Sequence, residues 1–190
     1  STPSSSSSEA TTRIRLWTVE VRLEDDGRGR TASVLAVDPL AFAARDDIGV
    51  QVVHDERVAA FVALGVGLAT GVPAAVLCTS GTAATHFHAA VVEADLASVP
   101  LLVLTADRPP ELQGIGAPQT IDQVDLYGAV VRCFADPGVP DGADRRVWRE
   151  WATDWWLSAV DGDPGPVHVN LAFREPLVGV AGELPAAPVD

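Results

Sequence analysis

The chain has 190 residues, 13 basic against 26 acidic, for a formal charge of −13, and its basic residues are all arginine. That length suits one α/β domain able to bury roughly 70% of its unfolded surface. The charge argues against nucleic acid or an anionic membrane surface as partner, and it serves solubility without naming a chemistry.

Residues 1–12 are Ser-rich, with neither the basic nor the apolar region of a secretory signal, and predict a disordered tail. Between residues 13 and 23, Ile14, Leu16, Val19, Val21 and Leu23 alternate as in a strand but slip register at Trp17-Thr18; helix is the alternative. Glu24 to Arg30 predicts a solvated turn, and Ser33 to Val37 a first core strand. Pro39 takes the first position of a short helix reaching Ala44, where its missing N–H costs nothing.

The stretch from Val50 to Pro109 carries most of the information. Val50 to His54 is a β-branched run, and Asp55 opens a helical pattern with Val58, Phe61, Val62 and Leu64 on one side. Ala74 to Cys78 reads as a buried strand, after which Thr79-Ser-Gly-Thr82 turns the chain into an Ala-rich helix running to about Ala97. Leu101 to Thr105 is a third strand, followed by the polar turn Ala106 to Pro110. Near-continuous apolar strands separated by helices predict an α/β fold, a doubly wound, mostly parallel sheet with helices on both faces. Ligands in such sheets bind beyond the carboxyl ends of the strands, where Glu56, Thr79 to Thr82 and Asp107-Arg108 fall. The 20 residues Ala59 to Cys78 carry no charge, long enough to span a membrane, but Thr70-Gly-Val-Pro73 breaks the run in its middle.

Glu111 to Gln119, rich in Gly and Pro, predicts a surface loop of the kind that carries binding groups. Asp122 to Tyr127 predicts a short helix, Val130 to Phe134 a fourth strand, and Asp136 to Asp144 a connector. Trp148, Trp151, Trp155 and Trp156 recur at helical spacing, a stripe that either lies on the sheet or meets another subunit. Pro166 to Leu171 is the last strand, and residues 178–190 read as a linker, leaving 13–177 as the domain. Cys78 and Cys133 both fall on expected strands, as free thiols of a reducing, cytoplasmic compartment.

Two readings of Glu56 stay open. In one, Asp55 caps the helix and Glu56 complements its dipole. In the other, a carboxyl group held among Val53, Val58 and Phe61 hydrogen-bonds a ligand nitrogen, with burial and the dipole pulling its pKa in opposite directions. Thr79 to Thr82 has the form of an anion-binding helix start, although it lacks the spacing and lysine of a nucleotide P-loop. Gly65, Gly67 and Gly71 lie within or at the end of a helix, not at its start, so they form no dinucleotide fingerprint. His54, His86, His88 and His168 have no recognised metal-ligand spacing.

Taken in order, His54-Asp-Glu-Arg-Val-Ala-Ala-Phe61, Cys78-Thr-Ser-Gly-Thr-Ala83, Val92-Glu-Ala-Asp95, Pro100-Leu-Leu-Val-Leu-Thr-Ala-Asp-Arg-Pro109, Gly116-Ala-Pro-Gln-Thr-Ile-Asp-Gln123, Gly165-Pro-Val-His-Val-Asn170 and Phe173-Arg-Glu-Pro-Leu177 resemble the 2-succinyl-5-enolpyruvyl-6-hydroxy-3-cyclohexene-1-carboxylate synthases. These are thiamine-diphosphate-dependent enzymes of menaquinone synthesis that join 2-oxoglutarate to isochorismate with loss of carbon dioxide. The Thr-Ala-Asp-Arg-Pro and Phe-Arg-Glu-Pro-Leu segments separate them from acetolactate synthase and the decarboxylases. The resemblance implies that the chain is the N-terminal pyrimidine-binding domain of a three-domain transferase, paired as a homodimer or homotetramer. It implies that Glu56 bonds the aminopyrimidine nitrogen and favours the imino tautomer that deprotonates the thiazolium carbon. It implies that Thr79, Ser80, Gly81 and Thr82 line the pyrimidine pocket in place of an anion site. Arg108 and Gln119 match positions that contact isochorismate, the alternative for Arg108 being an exposed ion pair with Asp107. Thiamine diphosphate and Mg²⁺ are the implied cofactors, the Mg²⁺ and diphosphate ligands lying on another domain. Two departures stand out: Ala32 to Ala36 replaces a Ser-Pro-Gly-Ser-Arg substrate loop, and Pro118 stands where many relatives have Asn. The first departure leaves room for another thiamine-dependent carboligase or decarboxylase, and the same domain could serve as a catalytically silent module paired with a partner chain.

Overall fold

The computed structural model describes residues 51–140 and 145–175, together with the backbone of two dipeptides, β1 (Leu23–Glu24) and β2 (Thr31–Ala32), which pair antiparallel. The expected tail, the strand at 33–37, the helix at 39–44, residues 33–36 of the substrate-loop segment and the 178–190 linker lie outside the described residues.

Helix α1 (Glu56–Thr70) starts where the sequence places its cap. Asp55 is extended, at φ −119° and ψ 118°, and its carboxylate accepts the Val58 N–H at 2.9 Å. Ala59, Ala60, Ala63 and Gly67 form the buried side, so the helix approaches the sheet closely. Gly71 ends it at φ +68°, donating its N–H to Gly67 O at 2.8 Å, a left-handed cap that costs glycine nothing. The charge-free run is thereby divided between a 15-residue helix and a strand. Among the described residues no helix is long and apolar enough to cross a membrane.

The strands are β3 (Ala74–Cys78), β4 (Leu101–Asp107), β5 (Cys133–Ala135) and β6 (Pro166–Ala172). They form one sheet in the order β3-β4-β6-β5, with every neighbouring pair parallel. In β4, Leu101 and Val103 join the core beneath α1, while Leu102 and Leu104 join the opposite core. A strand buried on both faces must be apolar at successive positions, which is why it reads as a run and not as an alternation. On one face lie α1, a short α2 (Thr82–Thr85) and α3 (His88–Leu96), contributing Phe87, Ala90, Val91 and Ala94. On the other lies α4 (Arg145–Val160), whose Trp156 and Ala159 meet Ala75, Leu104, Val167, Val169 and Leu171. Trp156 is 1% exposed and Trp148 and Trp155 are partly buried beside it, so the stripe covers the sheet.

Four expectations are corrected. Residues 51–54 form no strand: none of the described residues pairs with them, and Val52 is 72% exposed. The helix expected from Thr82 to Ala97 is broken at His86-Phe87, because the Ala84 carbonyl takes the Tyr127 hydroxyl at 2.6 Å and the Phe87 N–H at 3.2 Å, leaving the α-helical ladder. Asp122 and Gln123 have no regular structure and 124–127 are turns, with Asp125 at φ +52°, incompatible with a right-handed helix. Finally, β4 runs two residues beyond Thr105, which brings Thr105 and Asp107 into the buried end of the sheet.

Candidate functional site

Glu56 is the first residue of α1 and is half-buried, whereas Asp55 is exposed and serves the cap. The cap thus belongs to Asp55. Burial, and secondarily the Glu56 charge, push the Cys78 thiol at the end of β3 up to about 12. Val58 and Phe61, expected to shelter Glu56, are 46% and 41% exposed, and Val53 is half-buried.

The turn after β3 is tied to a segment about forty residues further on. Ser80 Oγ donates to Gln119 O at 2.9 Å, Gln119 Nε2 donates to Thr79 Oγ1 at 2.6 Å, and Gly81 N donates to Gln123 Oε1 at 2.7 Å. Ala84 N closes back onto Gly81 O at 3.2 Å. The Gly81 amide of the supposed anion site is therefore spent within the protein, which argues against the phosphate-binding reading. Gly81 sits at φ +86°, and a Cβ there would lie 3.0 Å from Gln119 O. Thr79 and Thr82 stay exposed, and Ser80 is buried.

Behind the turn runs a buried polar network that the sequence reading missed. Gln123 Nε2 donates to Ala106 O at 3.0 Å and to Asn170 Oδ1 at 2.9 Å. Asn170 Nδ2 donates to Asp107 Oδ2 at 2.8 Å, and Thr105 Oγ1 donates to Asn170 Oδ1 at 2.9 Å. The Thr105 hydroxyl has one proton, so its 2.8 Å contact with His168 Nε2 requires that nitrogen to carry the hydrogen. His168 Nδ1 is then a buried acceptor without a partner, and burial lowers the ring's pKa to about 4, keeping it neutral. Burial raises the Asp107 pKa, against opposing hydrogen bonds from Asn170 and the Arg108 N–H. The available signal was polar residues inside apolar strands: His168 and Asn170 are two apart on β6, and Asn170 lies in register with Thr105.

Arg108 is half-buried, and its Nη2 donates to Pro118 O at 3.3 Å. Asp107 is 4% exposed and accepts the Arg108 backbone N–H, so the exposed ion pair between them does not exist. Arg108 Nε is buried with no partner. The Pro118 carbonyl also accepts Thr120 Oγ1 at 3.1 Å, so proline at this position removes a side chain but keeps the acceptor that Arg108 uses. Arg108, Gln119 and the Thr79–Gly81 turn are thus drawn together through the 118–123 segment. A neighbouring cleft of about 560 Å³ is lined by Asp107, Gln113, Gly114, Gly116 and residues 120–124, and none of the predicted site residues faces it.

The parallel sheet carries a helix-starting carboxylate and a clamped turn at its carboxyl end. Residues 36–126 match the family described as thiamine pyrophosphate enzyme, N-terminal TPP binding domain, a stretch just under half of the chain. The chain is also similar to curated 2-succinyl-5-enolpyruvyl-6-hydroxy-3-cyclohexene-1-carboxylate synthases. It is 51% identical over 165 residues to the synthase of Thermobifida fusca, covering 83% of this chain and 30% of that protein. It is 49% identical over 164 residues to that of Natronomonas pharaonis, covering 85% and 27%. It is 53% identical over 139 residues to that of Chloroflexus aurantiacus, covering 73% and 24%. The chain therefore spans less than a third of the length of these relatives.

Proposed function

We propose that this domain binds the pyrimidine half of thiamine diphosphate in a synthase that decarboxylates 2-oxoglutarate and adds the succinyl-semialdehyde unit to isochorismate. The observation that carries the proposal is Glu56: a half-buried carboxyl at the first position of α1, relieved of capping by Asp55, in a chain about half identical to such synthases. The residues fit the cofactor. A carboxyl group at this place can hold a proton on a ring nitrogen and return it, which is general acid–base work at one atom. Thr79 and Thr82 stay exposed in the turn after β3, and Ser80 and Gly81 hold the turn's shape. When bound, thiamine diphosphate supplies the carbon nucleophile that this chain's side chains lack. Arg108, free of any carboxylate partner among the described residues, is suited to a substrate carboxylate, and Gln119 stands at the same mouth.

The Mg²⁺ and diphosphate ligands belong to the same proposal and are assigned to a domain outside these 190 residues. So does pairing into a homodimer or homotetramer. Val58, Phe61 and Leu68 stand exposed along α1, with Leu96 exposed at the end of α3, and paired surfaces of this kind usually bury over about 1,000 Å². A cytoplasmic location agrees with two free cysteines. The 32–36 segment without arginine favours one second reading, another thiamine-dependent carboligase or decarboxylase.

The full-length protein, given thiamine diphosphate, Mg²⁺, 2-oxoglutarate and isochorismate, should release carbon dioxide and form the cyclohexene carboxylate. The isolated chain should do neither, yet should run above monomer mass in light scattering. Carbon dioxide release with no isochorismate adduct selects the second reading. Turnover by the isolated chain, or a strict monomer at high concentration, contradicts the shared-site proposal.

A further inference from the structure

Gln123 is 1% exposed, and each half of its amide is engaged inside the protein. Two of its partners are backbone groups with fixed roles, since the Gly81 N–H can only donate and the Ala106 carbonyl can only accept. The amide therefore has one orientation, with Oε1 at 2.7 Å from Gly81 N and Nε2 at 3.0 Å from Ala106 O. Asn170 Oδ1, at 2.9 Å, takes the second Nε2 hydrogen.

Two further bonds join the same segment to the turn, Ser80 Oγ to Gln119 O and Gln119 Nε2 to Thr79 Oγ1. Thr79 and Gln119 are exposed, so water competes for their bond, whereas the Gly81–Gln123 bond is fully buried. A Cβ on Gly81 would lie only 3.0 Å from Gln119 O, so the turn has no slack against this segment.

We infer that Gln123 is a positioning residue: its amide locks the 79–82 turn to the carboxyl ends of β4 and β6, and so sets the wall of the pyrimidine pocket. The inference rests on the proposed cofactor reading. Gln123 acts through Gly81.

A purely structural amide would also cost stability when removed, so the test looks at where the loosening appears. Thr105→Val deletes a hydroxyl from the same buried network without touching the turn. In the full-length protein, Gln123→Met and Thr105→Val are compared with wild type by hydrogen exchange of the peptide covering residues 79–85. Thiamine diphosphate with Mg²⁺ is titrated into each by calorimetry. Both variants should melt earlier. Only Gln123→Met should speed exchange at Gly81 and weaken the Kd, by about tenfold for the one of its three hydrogen bonds that holds the turn. Equal behaviour of the two variants, or unchanged exchange at Gly81, overturns the inference. If Gln123→Met does not fold, wild type decides: the cofactor should slow exchange in 79–85 and 119–124 together, and protection confined to 79–85 overturns it. A wild type that binds no thiamine diphosphate defeats the proposed function instead, and exchange at Gly81 still judges the clamp.

Discussion

Gly65 and Gly67 lie two residues apart in α1, and alanine at either gains about 1 kcal/mol of helix propensity. Their surroundings differ. A Cβ on Gly65 meets nothing within 4 Å, whereas one on Gly67 would lie 2.7 Å from Val99 Cγ1 and 2.9 Å from Pro100 O. The valine methyl can rotate away, but the carbonyl belongs to the backbone entering β4, so α1 must move off the sheet. Overpacking of this kind costs about 1–3 kcal/mol. Propensity cancels between the two variants, so Gly67→Ala should be less stable than Gly65→Ala by that same amount, about 1–3 kcal/mol. At about 2–4 °C per kcal/mol for a domain of this size, circular-dichroism melts should separate by several degrees. Protein concentration is held constant because Gly65 lies on the exposed, proposed pairing side of α1. Equal melting temperatures would refute the close approach of α1 to the Val99-Pro100 corner.

The buried thiol and the buried imidazole give two more tests. With its pKa pushed up to about 12, Cys78 has almost no thiolate at pH 8, so a thiol reagent should label half-buried Cys133 first and reach Cys78 only on unfolding; equal labelling rates contradict this. His168 titrates near 6.5 when unfolded and near 4 when folded, so between those values the unfolded chain binds the extra proton. Its contribution to stability is complete above about pH 6.5 and is lost as pH falls through about 4, a swing of about 3 kcal/mol opposed by the raised Asp107. Urea unfolding at pH 6.5 and 4.5 should show that slope in wild type and a flatter one in His168→Leu; an unchanged slope contradicts the neutral, buried ring.

Elements governed by local pattern were legible in the sequence. The Asp55 cap, the Gly71 stop and the apolar strands β3, β4 and β6 depend on neighbours in the chain or on burial of both sheet faces. What failed depended on distant partners. The break between α2 and α3 turns on a hydroxyl 43 residues away, and no helical periodicity records it. The left-handed Asp125 defeats a segment whose polar and apolar spacing still looks helical. At the site, Glu56 and the Thr79–Thr82 turn could be placed because they end a strand or begin a helix. Their connection could not: Gln119 reaches Thr79 across 40 residues and Gln123 reaches Gly81 across 42. Gln123 and Asn170 are ordinary polar residues until the strand register places them against Thr105 and Asp107.

The central claim, that Glu56 exchanges a proton with the bound pyrimidine, is tested most directly by Glu56→Gln in the full-length protein. The change keeps the side chain's size, leaves the Asp55 cap intact and removes the titratable group. Loss of a positioned acid–base group usually lowers rates by about 10²–10⁴, or roughly 3–5 kcal/mol. A residue that only complements the helix dipole contributes under about 1 kcal/mol of stability and nothing to turnover. Hydrogen–deuterium exchange at the thiazolium carbon of bound thiamine diphosphate reads the difference without needing either substrate. The account predicts exchange slowed by at least about a hundredfold, with melting temperature and cofactor affinity little changed. Exchange within a few-fold of wild type would contradict it.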